Sequence, residues 1–342
     1  MKLFPRLALA AALSAAAPMA AQAQQTQVFA SDERHFQEGL ELFDRGQYGA
    51  AQEAFRAYLA IEPVHTSQAG PTATDRTADA EYYYAVSGLY LSHPDAEGLI
   101  LDFAAQHPAH PQAASAYFEL GKFYFDQKNY ELAIRYFAKV APDNLSNDQR
   151  AESDFKLGYS YFEQKDYEKA RLLFDRNKQV QSQYKYASAY YAGYLGYRSG
   201  DYAAARADLA VAEQNDAYKP VVPAVVTQIY YREGNYDGLI AYAAKALQNT
   251  PPPQNADEIQ LLLGDAYYQK EQYKEAAENF DKYAAMHKNK IEPALQYKIG
   301  FANYKMGDFK GAIASLVAMD VPLSEVASYG IVLADSEGRI RF

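Results

Sequence analysis

The stretch "EQKDYEKARLLF", residues 163–174, returns with small changes as "DQKNYELAIRYF" from Asp126, "QKEQYKEAAENF" from Gln269 and "YRSGDYAAARADL" from Tyr197. Each copy is a polar turn, an aromatic residue, an Ala three positions on and a bulky apolar residue four after that. An active site needs to be written only once. A motif that recurs at a near-constant interval is instead the mark of a stacked unit whose apolar face is covered by the next copy.

Frames of 34 residues start at Asp32, Ala80, Ala114, Ala151, Tyr186, Pro220, Asp257 and Pro293, and the extra residues between them fall in polar or Pro-rich joints. The eighth place reads Gly39, Ser87, Gly121, Gly158, Gly193, Thr227, Gly264 and Gly300, all small. The seventeenth is aromatic in all but the second frame, the twentieth is Ala or Leu, and the twenty-fourth is Phe in five frames. Spacings of three, four and seven put these last three on one side of a helix. Each frame is therefore expected to be helix, turn, helix, with the second helix starting near the seventeenth place. Turns such as "FEQKDY" and "YREGNY" mark the stop of the first helix.

In these columns the chain resembles the tetratricopeptide repeat family, over nearly all of 32–320. The resemblance implies an all-α fold, an α-solenoid (a right-handed superhelix) of about eight helix-turn-helix repeats. The second frame departs from the pattern: it lacks the Gly and the Tyr and opens its second helix with His93-Pro94-Asp95. A Pro, Gly and Thr-rich insert, 63–79, precedes it and is expected to be a mobile loop. The segment 321–342 offers Val326, Ile331, Val332 and Leu333 where such arrays end in a polar helix, so it reads as irregular or as a poor cap. The last layer is then expected to pack on a partner, a second copy or further repeats.

At the other end Lys2 and Arg6 precede the apolar run Leu7–Ala17 and the small-x-small site Ala21-Gln22-Ala23, so 1–23 reads as a cleaved signal peptide and 24–31 as a linker. The chain has no Cys, hence no disulfide and no lipid-modified cysteine after the signal; a soluble periplasmic protein of a bacterial envelope is expected. The net charge is −10 and no Lys/Arg run interrupts it, which argues against nucleic acid or an anionic membrane surface as partner.

No catalytic pattern occurs: GxSxG, HExxH, GxGxxG and phosphate loops are absent, and without Cys there is no thiolate or sulfur-ligated zinc. His107 and His110 in "QHPAHP" are three apart, yet the prolines read as an inter-helix joint. Asp and Glu are expected mostly at turns and on outer helix faces, as solvated charge. No catalytic residue, metal or cofactor is assigned.

In the family, the first helix of each pair lines a concave channel that takes an extended peptide or a partner helix. By register, the fifth place supplies Phe118, Phe155, Tyr190 and Tyr297 to that lining. The twelfth supplies Phe125, Phe162, Tyr197, Tyr231, Tyr268 and Tyr304, and the ninth Tyr159, Tyr194 and Phe301. Thirteen of the sixteen fifth and twelfth places are aromatic, which predicts a row of rings that serves recognition, core packing, or both. Chaperone-type capture of a terminal carboxylate is not expected, because the ninth place holds no Asn and Lys122 as its only cation. The expected function is a non-catalytic scaffold gripping an apolar or aromatic segment of another envelope protein. The alternatives are an inert spacer and a glycan-binding module in which Gln228, Asp265 and Gln269 meet sugar hydroxyls.

Overall fold

The computed structural model describes residues 31–61, 72–287, 292–317, 333–334 and 340–341. The expected signal peptide, most of the linker and most of the C-terminal segment lie outside them. Among the described residues sixteen α-helices follow one another. The first helices of the pairs are α1 Ser31–Asp44, α3 Thr72–Tyr90, α5 Pro111–Asp126, α7 Asn147–Glu163, α9 Lys185–Ser199, α11 Val222–Arg232, α13 Ala256–Gln269 and α15 Pro293–Lys305. The second helices are α2 Tyr48–Ala60, α4 Ala96–Gln106, α6 Tyr130–Phe137, α8 Tyr167–Asn177, α10 Tyr202–Ala212, α12 Tyr236–Ala246, α14 Tyr273–Met286 and α16 Phe309–Val317. Two strands of two residues, β1 Leu333–Ala334 and β2 Ile340–Arg341, pair antiparallel.

Every second helix begins at the seventeenth place of its frame, and the turn before it shows why. In Lys165 and Asp166 the backbone N–H groups donate to Phe162 O (3.0 Å) and Tyr161 O (2.9 Å), which closes the preceding helix in a Schellman turn. Such a turn needs a left-handed residue. The fifteenth place provides it in seven frames, as glycine in four (Gly46, Gly200, Gly234, Gly307) but as Lys128, Lys165 and Glu271 in the others. The sixteenth place then caps the second helix: Asn129, Asp166, Asp201, Asn235 and Asp308 each accept a hydrogen bond from the backbone N–H three residues on.

Packing within a pair runs through the eighth and twenty-fourth places. A Cβ on Gly121 would sit 2.7 Å from the Phe137 ring, and one on Gly264 2.6 Å from Phe280, so only glycine lets the helices close over the ring. Phe55, Phe174, Leu209 and Phe280 are fully enclosed, as are Ala51, Ala133, Ala170, Ala205 and Ala276 at the twentieth place. Next to these seams the second helix of one pair packs on the first helix of the next.

The helices fall into two compact units, one ending at Leu91 and one beginning at Ser92. The division cuts the second frame, the one that departs from the pattern. One expectation is corrected here: residues 72–79 are the first part of α3, not loop. The sequence from Thr72 runs through Ala73, Arg76 and Ala78 with no Gly or Pro, and a Pro immediately before it suits a helix start.

Candidate functional site

From α5 to α15 the first helices of successive pairs carry one continuous row of contacts. The residue at the twelfth place of one frame reaches the residue at the ninth place of the next. Phe125 meets Tyr159 with ring centroids 5.7 Å apart, Phe162 meets Tyr194 at 6.0 Å and Tyr268 meets Phe301 at 5.9 Å. At the two junctions between these the rung is polar instead. The Tyr197 phenol donates to Gln228 Oε1 (2.7 Å), and the Tyr231 phenol donates to Asp265 Oδ2 (3.4 Å).

Each twelfth-place ring also leans on the aromatic that opens the second helix of its own pair: Phe125 on Tyr130, Phe162 on Tyr167, Tyr197 on Tyr202, Tyr231 on Tyr236, Tyr268 on Tyr273 and Tyr304 on Phe309. A ring held from two sides loses little further rotamer freedom on meeting a ligand, while its remaining face is half-exposed. Burial, reinforced by the Glu163 carboxylate, raises the Tyr159 phenol well above the ordinary tyrosine range, and burial pushes Tyr268 up to about 12. These hydroxyls are neutral donors at any physiological pH.

The fifth place behaves differently, and here the expectation is corrected. Phe118 is 1% exposed and set edge-on to Phe137, its own seam residue, at 6.1 Å. A residue at the fifth place lies one turn before the small eighth place and leans toward the seam that the small residue opens. Phe155 shows the same tendency, packing against Phe174 at 6.0 Å and stacking on Tyr184 at 5.0 Å. Tyr190 lies against Tyr218 at 5.2 Å, and Tyr297 stacks along Phe301 at 6.2 Å. Phe118 belongs to the core; the other three are half-buried walls.

Acidic residues also depart from expectation, since Asp154, Asp208 and Asp265 are buried rather than solvated. Each is paired: Asp154 with Arg176 (2.8 Å) on the other helix of its own pair, and, across repeats, Asp208 with Lys178 (2.6 Å) and Arg171 (3.3 Å) and Asp265 with Lys298 (2.6 Å). Gln228 and Asp265 thus already serve the protein's own tyrosines and lysine, leaving Gln269 of the three polar groups offered for a sugar. His110 has a structural task as well, its Nδ1 accepting the Gln112 N–H (3.2 Å) at the start of α5.

A feature of the thirteenth place escaped the sequence reading. The Arg198 guanidinium lies over Tyr167 (4.6 Å to the ring centroid) and that of Arg232 over Tyr197 (4.9 Å), each reaching back to the preceding pair; Lys305 covers Phe301 (5.3 Å) in its own helix. The signal was available as a basic residue directly after the twelfth-place Tyr.

Among the described residues no helix is long and apolar enough to cross a membrane. The family profile of the tetratricopeptide repeat matches residues 92–148, 152–176 and 261–320. No curated protein sequence matches the chain. Among solved structures, pilF of Pseudomonas aeruginosa is 20% identical, with 67% of this chain and 96% of that one covered at a TM-score of 0.45. A tetratricopeptide repeat protein from Parabacteroides merdae is 14% identical over 79% and 98% at 0.42. The C-terminal part of another from Cytophaga hutchinsonii is 16% identical over 75% and 84% at 0.40. Similarities of this size say nothing about partners. The recurring helix pairs with glycine against phenylalanine in their seams, together with the three matched segments, make the chain a tetratricopeptide repeat protein, of a family that serves generally as protein–protein interaction scaffolds.

Proposed function

We propose that the protein is a non-catalytic scaffold of the bacterial cell envelope that grips an extended segment of another protein along the twelfth-to-ninth-place row. The carrying observation is that row: five consecutive junctions in one register, each with half-exposed tyrosine or phenylalanine held by a neighbour. Rings offer wide contact area at small entropic cost, and neutral phenols add donors for backbone carbonyls of a bound strand. Nothing in the seam packing requires aromatic residues on this face, since Gln228 and Asp265 fill the same place. The N-terminal signal-like segment supports export and a periplasmic location. An inert spacer would have no use for such a row, and the engagement of Gln228 and Asp265 within the protein weakens the glycan reading.

A photo-crosslinking residue at Tyr194 tests this against one at Leu172, which is 70% exposed on α8. Crosslinks to one envelope protein from position 194 and none from 172 are expected. Equal or absent crosslinking at both positions would remove the row as the site and return the spacer.

A further inference from the structure

The thirteenth place changes sign along the row. It is Asp126 and Glu163 in the third and fourth frames, then Arg198 and Arg232 in the fifth and sixth. Asp126 is tied to Lys156 (3.3 Å). The two arginines are not tied to any carboxylate: among the described residues neither forms an ion pair, and each guanidinium lies instead on a tyrosine ring. Both side chains are exposed.

The contact matters because a guanidinium resting over a ring is held in place while its N–H donors away from the ring stay free. Those donors suit the two oxygens of a carboxylate. The ring beneath Arg232 is itself held, by the Tyr197 phenol donating to Gln228 (2.7 Å). The helices that carry the pair, α9 and α11, touch directly. Packed helices lie about 8–10 Å apart, so the guanidiniums stand on the order of 10 Å from one another. In a β-extended segment side chains two residues apart share a face at about 7 Å, and in a polyproline-type segment side chains three apart do so at about 9 Å, both within reach of two long arginine side chains.

We infer that Arg198 and Arg232 form a paired clamp at the rim of the aromatic row, which holds two acidic side chains two or three residues apart in an extended partner segment. This rests on the reading of the row as a binding face and adds the chemistry and direction of what lies there. The occupant is a short acidic pair beside apolar residues. A long polyanion would meet repulsion from the rest of a chain with net charge −10. Glu163, the exposed acid at the thirteenth place of the fourth frame, repels a like-charged end, so the acidic pair lies toward the later repeats and sets the orientation of the segment.

The test is selection of displayed random short peptides on the full chain and on R198Q/R232Q, with circular dichroism to verify that the exposed double variant keeps its helices. The wild type is expected to enrich peptides with apolar or aromatic residues and two Asp or Glu two or three apart. The double variant keeps the apolar preference and loses the acidic one. An enriched acidic peptide should bind the double variant about tenfold more weakly or worse, with partial recovery in R198K/R232K and a smaller difference in high salt. Enrichment of aromatic peptides without an acidic pair, or acidic peptides indifferent to the double substitution, would overturn the clamp and leave the binding face standing. No enrichment at all would overturn both. A wild type that dimerises while R198Q/R232Q is monomeric would assign the arginines to a second copy and overturn the inference as well.

Discussion

The seam inside each helix pair and the exposed row across the pairs use the same kinds of residue under different rules. At the seam the solution hardly varies: glycine against Phe137, Phe174 or Phe280, or against Leu209. Along the row the register is as strict, yet the rung changes from two rings at Phe162 and Tyr194 to a hydrogen bond at Tyr197 and Gln228, then to a phenol on the buried, lysine-paired Asp265. Close packing forbids substitution where two helices meet over a ring. Where a side chain closes only one flank of a neighbour, several chemistries satisfy the geometry, and the choice is open to selection for something other than stability.

That contrast can be broken by measurement. The largest effect is expected at the seam: Phe174→Ala should cost about 3–5 kcal/mol in urea unfolding, because the ring is fully enclosed and Gly158 cannot fill the void. Asp265→Ala, in the polar part of the row, leaves Lys298 and Tyr231 without their acceptor and should cost about 2 kcal/mol by the same assay. An alkaline titration addresses both regions together. Burial raises the phenols of Tyr159, Tyr191, Tyr242 and Tyr268, so the folded chain resists their ionisation while the unfolded chain ionises near the ordinary value of about 10. Stability carried by these groups is therefore whole below about pH 10 and lost as pH rises through the raised values; thermal melts from pH 8 to 12 should fall together with tyrosinate absorbance. The smallest effect has the opposite sign. Lys165 sits at φ +63°, and Lys165→Gly should stabilise by about 0.5–1 kcal/mol, with the same substitution at exposed helical Lys169 destabilising.

The architecture was legible because periodicity carries it. The seventeenth place marks the start of every second helix, and the eighth, twentieth and twenty-fourth places give the seam. What periodicity does not carry is anything decided by a single neighbour on another helix. Asp154 is buried because Arg176 covers it from α8, and Asp208 because Lys178 and Arg171 do so; read along the chain, each is one more acid on a helix. Phe118 was indistinguishable from Phe125 as a ring on a first helix, and only the seam of its pair draws it inward. Helical residues 72–79 were hidden by their own Thr content and by the Pro and Gly of the stretch just before them, which suggest loop more strongly than the uninterrupted helical stretch suggests helix.

The division of labour between seam and row is the central claim, and Tyr194→Ala measures it on one residue. Tyr194 is half-buried on the row and touches Phe162 in a T-shaped contact and Tyr197 at a tilt. Urea unfolding and affinity for a selected peptide, read on the same variant, should show a loss of about 1 kcal/mol or less in stability and a drop of about tenfold or more in binding. A variant that loses several kcal/mol of stability yet binds the peptide unchanged would contradict the account.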